Sequence, residues 1–275
     1  MNTNRNVVLI TGASSGIGKA TAELLIEKGY VVYAAARRVD KMASLEEMGG
    51  HALAMDVTDD QSMIEALEQI KQAHGGVDIL VNNAGYGSYG AVEDVELAEA
   101  KRQFEVNVFG LARLTQLVLP HMRENRWGKV LNITSMGGKI YTPMGGWYHA
   151  TKFAVEVLSD SMRFETKPFG IDVIIIEPGA IKTEWSDIAM DGLFETSGDT
   201  AYSEMAQKLA TMIKSTYENP KASDPIVIAK VILKAITAKK PKTRYVAGHL
   251  AKPFLFLRWL LTDKMYDRLL AMNMK

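Results

Sequence analysis

Tyr148 and Lys152 stand four residues apart. On a helix that spacing puts both side chains on one face, so an ammonium can lie beside a phenol. A free tyrosine gives up its proton near pH ~10 and is a poor acid–base at neutrality. A neighbouring positive charge favours the phenolate and brings that value down. The pair is therefore expected to trade a proton with a carbonyl or hydroxyl oxygen. Ser135 lies 13 residues before Tyr148, and its hydroxyl can hydrogen-bond the same carbonyl and hold it in line. Its context, Ile-Thr-Ser-Met-Gly, lacks the Gly-x-Ser-x-Gly elbow of a hydrolase nucleophile. Asn107 falls inside a helical stretch from Leu97 to Arg123. Asparagine is a mediocre helix former, so Asn107 either has a task or is a satisfied polar residue at a bend. Plain alternatives stand beside each residue: Tyr-x-x-x-Lys decorates many helices, and a loop serine often serves only local backbone.

A second group suits phosphate. Gly12, Gly16 and Gly18 punctuate Thr11-Gly-Ala-Ser-Ser-Gly-Ile-Gly18, between an apolar run and a helical pattern. Phosphate needs close backbone approach, which side chains block, and it favours a helix N-terminus, where N–H groups and the dipole meet it. Gly18 also lets a helix pack closely on a strand. The spacing is not the commoner Gly-x-Gly-x-x-Gly, so the strand before and the helix after carry the argument.

These side chains need a frame. Short apolar runs at Val7–Ile10, Val31–Ala36, Ala52–Met55, Ile79–Val81, Val130–Ile133 and Val173–Ile176 alternate with helical patterns. Near-continuous apolar runs suit strands covered on both faces. Repeated β-then-α units predict an α/β fold with a doubly wound parallel sheet. One domain, 1–275, is expected. Within it, the polar segment 184–225 is expected to insert over the carboxyl edge of the sheet, where ligands bind, and 242–275 to form a C-terminal extension.

Composition excludes several classes. The 275 residues carry 32 Lys+Arg against 32 Asp+Glu, with 47% hydrophobic and 23% charged residues and no cysteine. That balance is neither disordered nor built to hold nucleic acid. Disulfides, thiolate metal sites and cysteine nucleophiles are impossible, and a cytoplasmic setting fits. The five histidines, at 51, 74, 121, 149 and 249, have no ligand spacing, so no metal is expected. Four apolar residues, Val7 to Ile10, do not make a secretory signal. Phe254–Leu261 is apolar but short and interrupted by Arg258. It reads as a packed helix, or as a peripheral membrane contact flanked by Lys252, Arg258 and Lys264.

Taken together, the motifs resemble the short-chain dehydrogenase/reductase family. Thr11-Gly-Ala-Ser-Ser-Gly-Ile-Gly18, Asn82-Asn-Ala-Gly85, Asn107, Ser135, Tyr148-His-Ala-Thr-Lys152 and Pro178-Gly179 occur in the family's order and spacing. The match spans nearly the whole chain. Gly110 after Asn-Val-Phe, Lys167-Pro-Phe-Gly170 and the long tail resemble the branch with 17β-hydroxysteroid dehydrogenases and acyl-dihydroxyacetone-phosphate reductases. The resemblance implies a single NADP-binding Rossmann-type sheet of about seven strands with helices on both faces, and a homodimer. It implies catalytic roles for Asn107, Ser135, Tyr148 and Lys152, with Asn107 holding a water that links Lys152 to solvent. Cofactor contacts would come from Gly12, Ser14, Ser15, Gly16, Ile17 and Gly18 in the first turn. Further contacts are implied for Asp56 and Val57 at the adenine, for Asn83, Ala84 and Gly85 along the groove, for Tyr148 and Lys152, and for Pro178, Gly179, Ile181 and Thr183 at the nicotinamide and pyrophosphate. Pro-S hydride transfer follows from the same resemblance.

The second strand ends Ala36-Arg37-Arg38, with alanine where an NAD-selective fold places an acid on the ribose. A guanidinium there forks onto a 2′-phosphate, so NADP(H) is expected, with Arg37 ahead of Arg38. As a plain alternative for Asp56, it would cap the helix after Thr58. Met136, Tyr141, Met144, Trp147, Trp185 and Ile188 are large and mostly apolar, and suit a lipophilic ketone, aldehyde or alcohol. The expected activity is interconversion of carbonyl and alcohol. A cofactor-binding sensor or scaffold without turnover and a lipid-surface protein are the rival classes.

Overall fold

The computed structural model describes residues 7–217 and 222–273. The outermost residues of the expected unit 1–275, and 218–221 of the segment 184–225, lie outside the described residues. Seven strands form one parallel sheet: β1 (Val7–Thr11), β2 (Val31–Ala36), β3 (His51–Ala54), β4 (Ile79–Asn82), β5 (Gly128–Ile133), β6 (Ile171–Pro178) and β7 (Arg244–Ala247). Their order is β3-β2-β1-β4-β5-β6-β7. Chain direction across the sheet reverses between β1 and β4, which opens a crevice at their carboxyl ends.

Eleven α-helices are described: α1 (Gly16–Glu27), α2 (Ala43–Glu47), α3 (Asp60–His74), α4 (Leu97–Phe104), α5 (Leu111–Glu124), α6 (Gly146–Thr166), α7 (Trp185–Ser197), α8 (Ser203–Tyr217), α9 (Pro225–Thr237), α10 (Ala251–Leu260) and α11 (Asp263–Asn273). The period-two alternation of β1 divides the core. Val8 and Ile10 pack with Leu25 of α1 and Ile228 and Ile232 of α9. Val7 and Leu9 pack on the other face, with Met63 and Ile70 of α3 and Leu114 and Val118 of α5. Fully burying each such aliphatic side chain contributes about 1.5–3 kcal/mol. This two-sided burial is why the strands read as continuous apolar runs.

The segment 184–225 is largely helical, forming α7 and α8, whose Ala189, Leu193, Ala206 and Leu209 are buried against one another. Two features depart from the sequence expectation. Residues 242–275 are not all extension, because Arg244–Ala247 pairs in parallel with Ile175–Pro178 as the seventh strand. Asp59, not Asp56, caps α3, accepting from the Gln61 and Ser62 amides, while Asp56 holds Thr58. The apolar run Phe254–Leu261 falls mostly in α10. It turns Phe254 and Leu255 inward toward Ile140 and Tyr266 and leaves Phe256, Trp259 and Leu260 exposed. Among the described residues, no helix is long and apolar enough to cross a membrane.

Candidate active site

The crevice is lined first by the turn after β1. Gly12 and Gly16 have left-handed backbone, φ +65° and +54°. A Cβ on Gly12 would come within 2.9 Å of the Ala84 Cα, and one on Gly18 within 2.4 Å of the Gly12 carbonyl oxygen. Thr11 ties this turn to the end of β4: its hydroxyl accepts from the Asn83 and Ala84 amides at 2.9 and 2.8 Å. The Asn83 side chain donates back to the Thr11 carbonyl at 2.9 Å. Ser15 begins α1 without a side-chain capping bond, and the first turn holds no acid. Those are the features of an anion cradle: bare backbone and an uncapped, acid-free helix start. Beside it lies a groove of 740 Å³ whose walls include Ser14, Ser15 and Thr183, the cations Lys19, Lys41 and Lys182, and the acids Glu23, Glu184 and Asp224, with Lys41 paired to Glu184 and Lys182 to Asp224. A pyrophosphate fits the glycine turn.

Of the two exposed arginines, Arg38 reaches over the turn, with its guanidinium 3.4 Å from Ser14 Oγ and 3.5 Å from Ser15 Oγ, and pairs with Glu184 at 3.3 Å. The charge of Arg37 is felt by the Tyr86 phenol.

At the end of β5, Ser135 and α6 meet. The Ser135 hydroxyl accepts from the Gly137 amide at 3.0 Å and lies near enough to the Tyr148 phenol to pull its pKa down. Lys152 donates to the Ile133 carbonyl at 3.1 Å and sits 6.0 Å from the centre of the Tyr148 ring. Asn107 lies in a π-helical turn, Glu105–Gly110, between α4 and α5. Such turns are frequent at functional sites. Its amide accepts from the Tyr86 N–H at 3.0 Å and donates to the Tyr86 carbonyl at 2.9 Å and to Thr151 at 3.1 Å. Gly85 closes the group: a Cβ there would lie 3.0 Å from Asn107 Oδ1 and 3.6 Å from Lys152 Nζ. Gly110, which follows in the same turn, lets Val57 approach; its Cβ would meet the Val57 carbonyl at 2.3 Å.

Burial governs the proton chemistry. It pushes the Tyr148 phenol up to about 12, with the Ser135 hydrogen bond opposing. It pushes Lys152 down to about 8, with the charge of Glu156 opposing. Lys152, aimed at the Ile133 carbonyl, is not among the causes that move the phenol here; burial outweighs the Ser135 hydrogen bond.

The expected substrate wall divides. Met144 and Trp185 pack around Tyr148, with the Trp185 ring 5.3 Å from the phenol ring. Met136 and Tyr141 pack instead under α10 and α11, where the Tyr141 hydroxyl donates to Asp267 at 2.6 Å. Trp147 points to Phe104, ring centres 6.5 Å apart, since neighbours on a helix face different ways. Ile188 is exposed. Tyr89 and Tyr217 complete the aromatic wall, at 5.7 Å from Tyr148 and 6.0 Å from Trp185. Neither was singled out, because one sits in an aperiodic loop and the other at the end of α8. Gly179 is needed for the chain's own backbone: a Cβ would strike the His249 carbonyl at 2.1 Å. Ile181 is buried, and Thr183 closes on Gly16, where a Cβ would lie 3.0 Å from its methyl. Among the described residues, no group of three or more His, Asp or Glu can hold a metal ion.

The short chain dehydrogenase family matches residues 6–191. The chain is 37% identical over 278 residues to the NADPH-dependent 3-dehydrocapnine reductase of Ornithobacterium rhinotracheale, covering 97% of this chain and 96% of that protein. It is 36% identical over 247 residues to the 3-ketodihydrosphingosine reductase of Bacteroides thetaiotaomicron, covering 90% and 89%. A crystal structure of a short-chain dehydrogenase from Streptomyces avermitilis superposes with a TM-score of 0.81 at 35% identity, over 96% of this chain and 95% of that one. Strand order, glycine turn and sequence agree, and the chain belongs to the short-chain dehydrogenase/reductase family of oxidoreductases.

Proposed function

We propose that this protein is an NADP(H)-dependent reductase that converts a lipophilic ketone or aldehyde to an alcohol, with Tyr148 as the acid. The observation that carries this is the meeting of Ser135, Tyr148, Lys152 and Asn107 at the carboxyl end of β5, beside the glycine turn. Bound NADPH supplies the hydride. The chain's own residues do the rest. The phenol keeps its proton at neutral pH and can give it to the substrate oxygen, although burial, which pushes it up to about 12, weakens it as an acid. Ser135 holds both the phenol and the substrate oxygen. Lys152 and Asn107 lie together behind Gly85 and fix the floor of the site. Tyr89, Met144, Trp185 and Leu193 exclude water and favour an apolar substrate. Support for the direction comes from two relatives whose names are those of reductases, one of them NADPH-dependent.

The test is NADPH oxidation with a panel of ketones, for wild type and Tyr148→Phe. General acid catalysis is worth about 10²–10⁴-fold, and the variant loses at least that much. Wild-type activity in Tyr148→Phe overturns the proposal.

A further inference from the structure

Behind Lys152 lies a cluster of charges that the proposed chemistry does not use. One helical turn on, α6 carries Glu156, whose side chain is only 6% exposed. Its two oxygens have different partners. Oε1 accepts a hydrogen bond from Thr134 Oγ1 at 2.7 Å. Oε2 accepts from Arg244 of β7, with Nε at 3.1 Å and Nη2 at 3.0 Å, and lies 3.7 Å from Lys139 Nζ. Glu177 of β6 faces the same two cations, with Oε1 3.6 Å from Arg244 and 3.7 Å from Lys139. On α6 itself, Asp160 takes the other side of Arg244 at 2.6 Å and also pairs with Arg163. Lys152 is the remaining charged neighbour.

Thr134 is what connects this cluster to the site. It lies between Ile133, whose carbonyl accepts the Lys152 ammonium, and Ser135. Its amide donates to the Ile176 carbonyl at 2.9 Å; its hydroxyl lies 3.1 Å from the same carbonyl but has one proton, which goes to Glu156 at the shorter distance. The carboxylate of Glu156 therefore fixes the one short stretch of chain that holds both the acceptor of Lys152 and the partner of Tyr148. The same carboxylate is the negative charge that works against loss of the Lys152 proton. A buried carboxylate is expensive to keep, and it is retained where its charge or its geometry is used.

We propose that Glu156 is a positioning residue for the reaction: through Thr134 it holds the end of β5, and through its charge it keeps Lys152 protonated. This rests on the roles given to Tyr148 and Lys152 above. Arg244 and Lys139 balance Glu156 in place. Glu177 shares the same cations from the neighbouring strand.

Two measurements decide it. The first is an NMR titration of protein carrying ¹³Cε-lysine, without cofactor or substrate, with the Lys152 signal assigned by its loss in Lys152→Met. Wild type is expected to titrate near pH 8, since burial holds Lys152 below the ordinary lysine value. In Glu156→Gln the charge is gone and the midpoint falls by about one pH unit, the low end of what a close counter-charge does. An unchanged midpoint overturns the electrostatic half of the proposal. The second uses Glu156→Asp, which keeps the charge but draws the oxygens back from Thr134 by one methylene. There kcat falls about tenfold or more, as for other small misplacements, while KM for NADPH stays within about twofold. Wild-type kcat in Glu156→Asp overturns the positioning half. If Glu156→Gln does not fold, the aspartate variant still decides the second half, and Glu156→Leu, which removes the charge without adding an amide to satisfy, takes the glutamine's place in the titration: a midpoint about one pH unit below wild type is expected, and an unchanged one overturns the first half. The titration is independent of turnover, so it stands whatever Tyr148→Phe shows.

Discussion

Cofactor choice has a sharp test in Arg38→Ala. The guanidinium sits over Ser14 and Ser15 at 3.4 and 3.5 Å and is held from outside by Glu184 at 3.3 Å. Both partners of that ion pair are about half exposed, 46% and 52%, so the pair contributes only about 0–1 kcal/mol and yields readily to a phosphate. A charge-assisted hydrogen bond from guanidinium to phosphate is worth about 1.5–3 kcal/mol. At ~1.4 kcal/mol per factor of ten, losing it weakens NADPH binding roughly 10- to 150-fold. NADH carries a hydroxyl at that position and loses almost nothing, so the NADPH/NADH affinity ratio falls by the same factor. Fluorescence titration of both cofactors, at low and at moderate salt, reads this directly. Wild-type NADPH binding weakens more steeply with salt than that of Arg38→Ala, because one screened contact is missing in the variant. Arg37→Ala, whose charge reaches Tyr86 rather than the glycine turn, gives the smaller change. An unchanged ratio in Arg38→Ala, or an equal loss for both cofactors, refutes the assignment.

Two further expectations follow from burial and exposure. Burial, followed by the charge of Glu156, raises Glu177 from the ordinary 4.5 to about 7. Between those pH values the folded protein keeps a proton that the unfolded chain releases, so stability falls as pH rises from about 4.5 to 7, by about 3 kcal/mol in all. Urea unfolding of Glu177→Gln shows a flatter profile over that range than wild type; parallel profiles refute the cause. The second concerns assembly. Phe109 of the π-helical turn and Phe153, Val157 and Phe164 of α6 are exposed. We infer that they are covered by a second copy of the chain. Light scattering at micromolar concentration gives twice the 30.3 kDa chain mass, and Val157→Glu halves it; a monomer mass for wild type removes the inference.

How much of this was legible in the sequence depends on where each residue gets its constraint. Strands buried on both faces announce themselves: Val7–Ile10 became Val7–Thr11, and Val173–Ile176 lies inside Ile171–Pro178. Strand β7 did not, because Arg244-Tyr-Val-Ala is a half-buried edge strand whose arginine serves the charge cluster. The π-helical turn at Asn107 is invisible to a helical period, since one extra residue per turn leaves the apolar spacing on either side intact. Tyr148 and Lys152 were readable because one helix sets their relation. The substrate wall was not, because Tyr89, Met144 and Trp185 come from three separate segments brought together only by the sheet. Trp147 shows the limit most plainly. Sequence proximity to Tyr148 suggested a shared pocket, while helix geometry turned it about 100° away.

The electrostatics of the site also oppose stability, and the sign is instructive. Lys152 is depressed from 10.5 to about 8, so its burial costs about 3 kcal/mol at any pH below 8 and is relieved only as pH rises toward 10.5. Glu177 costs a similar amount above pH 7. The two penalties therefore overlap between about pH 7 and 8. An ordinary fold would avoid both by placing the groups at the surface, as it does for the exposed Arg113–Asp60 pair. Here Arg244 and Lys139 offset part of the Glu177 cost, and Glu156 offsets part of that of Lys152. The apolar strands β1, β4 and β5, with Leu9, Leu80 and Leu131 fully buried, supply the rest. A stable centre of the sheet is thus what permits an unstable, charged rim at its carboxyl end, and that rim is where the proton and the cofactor have to be handled.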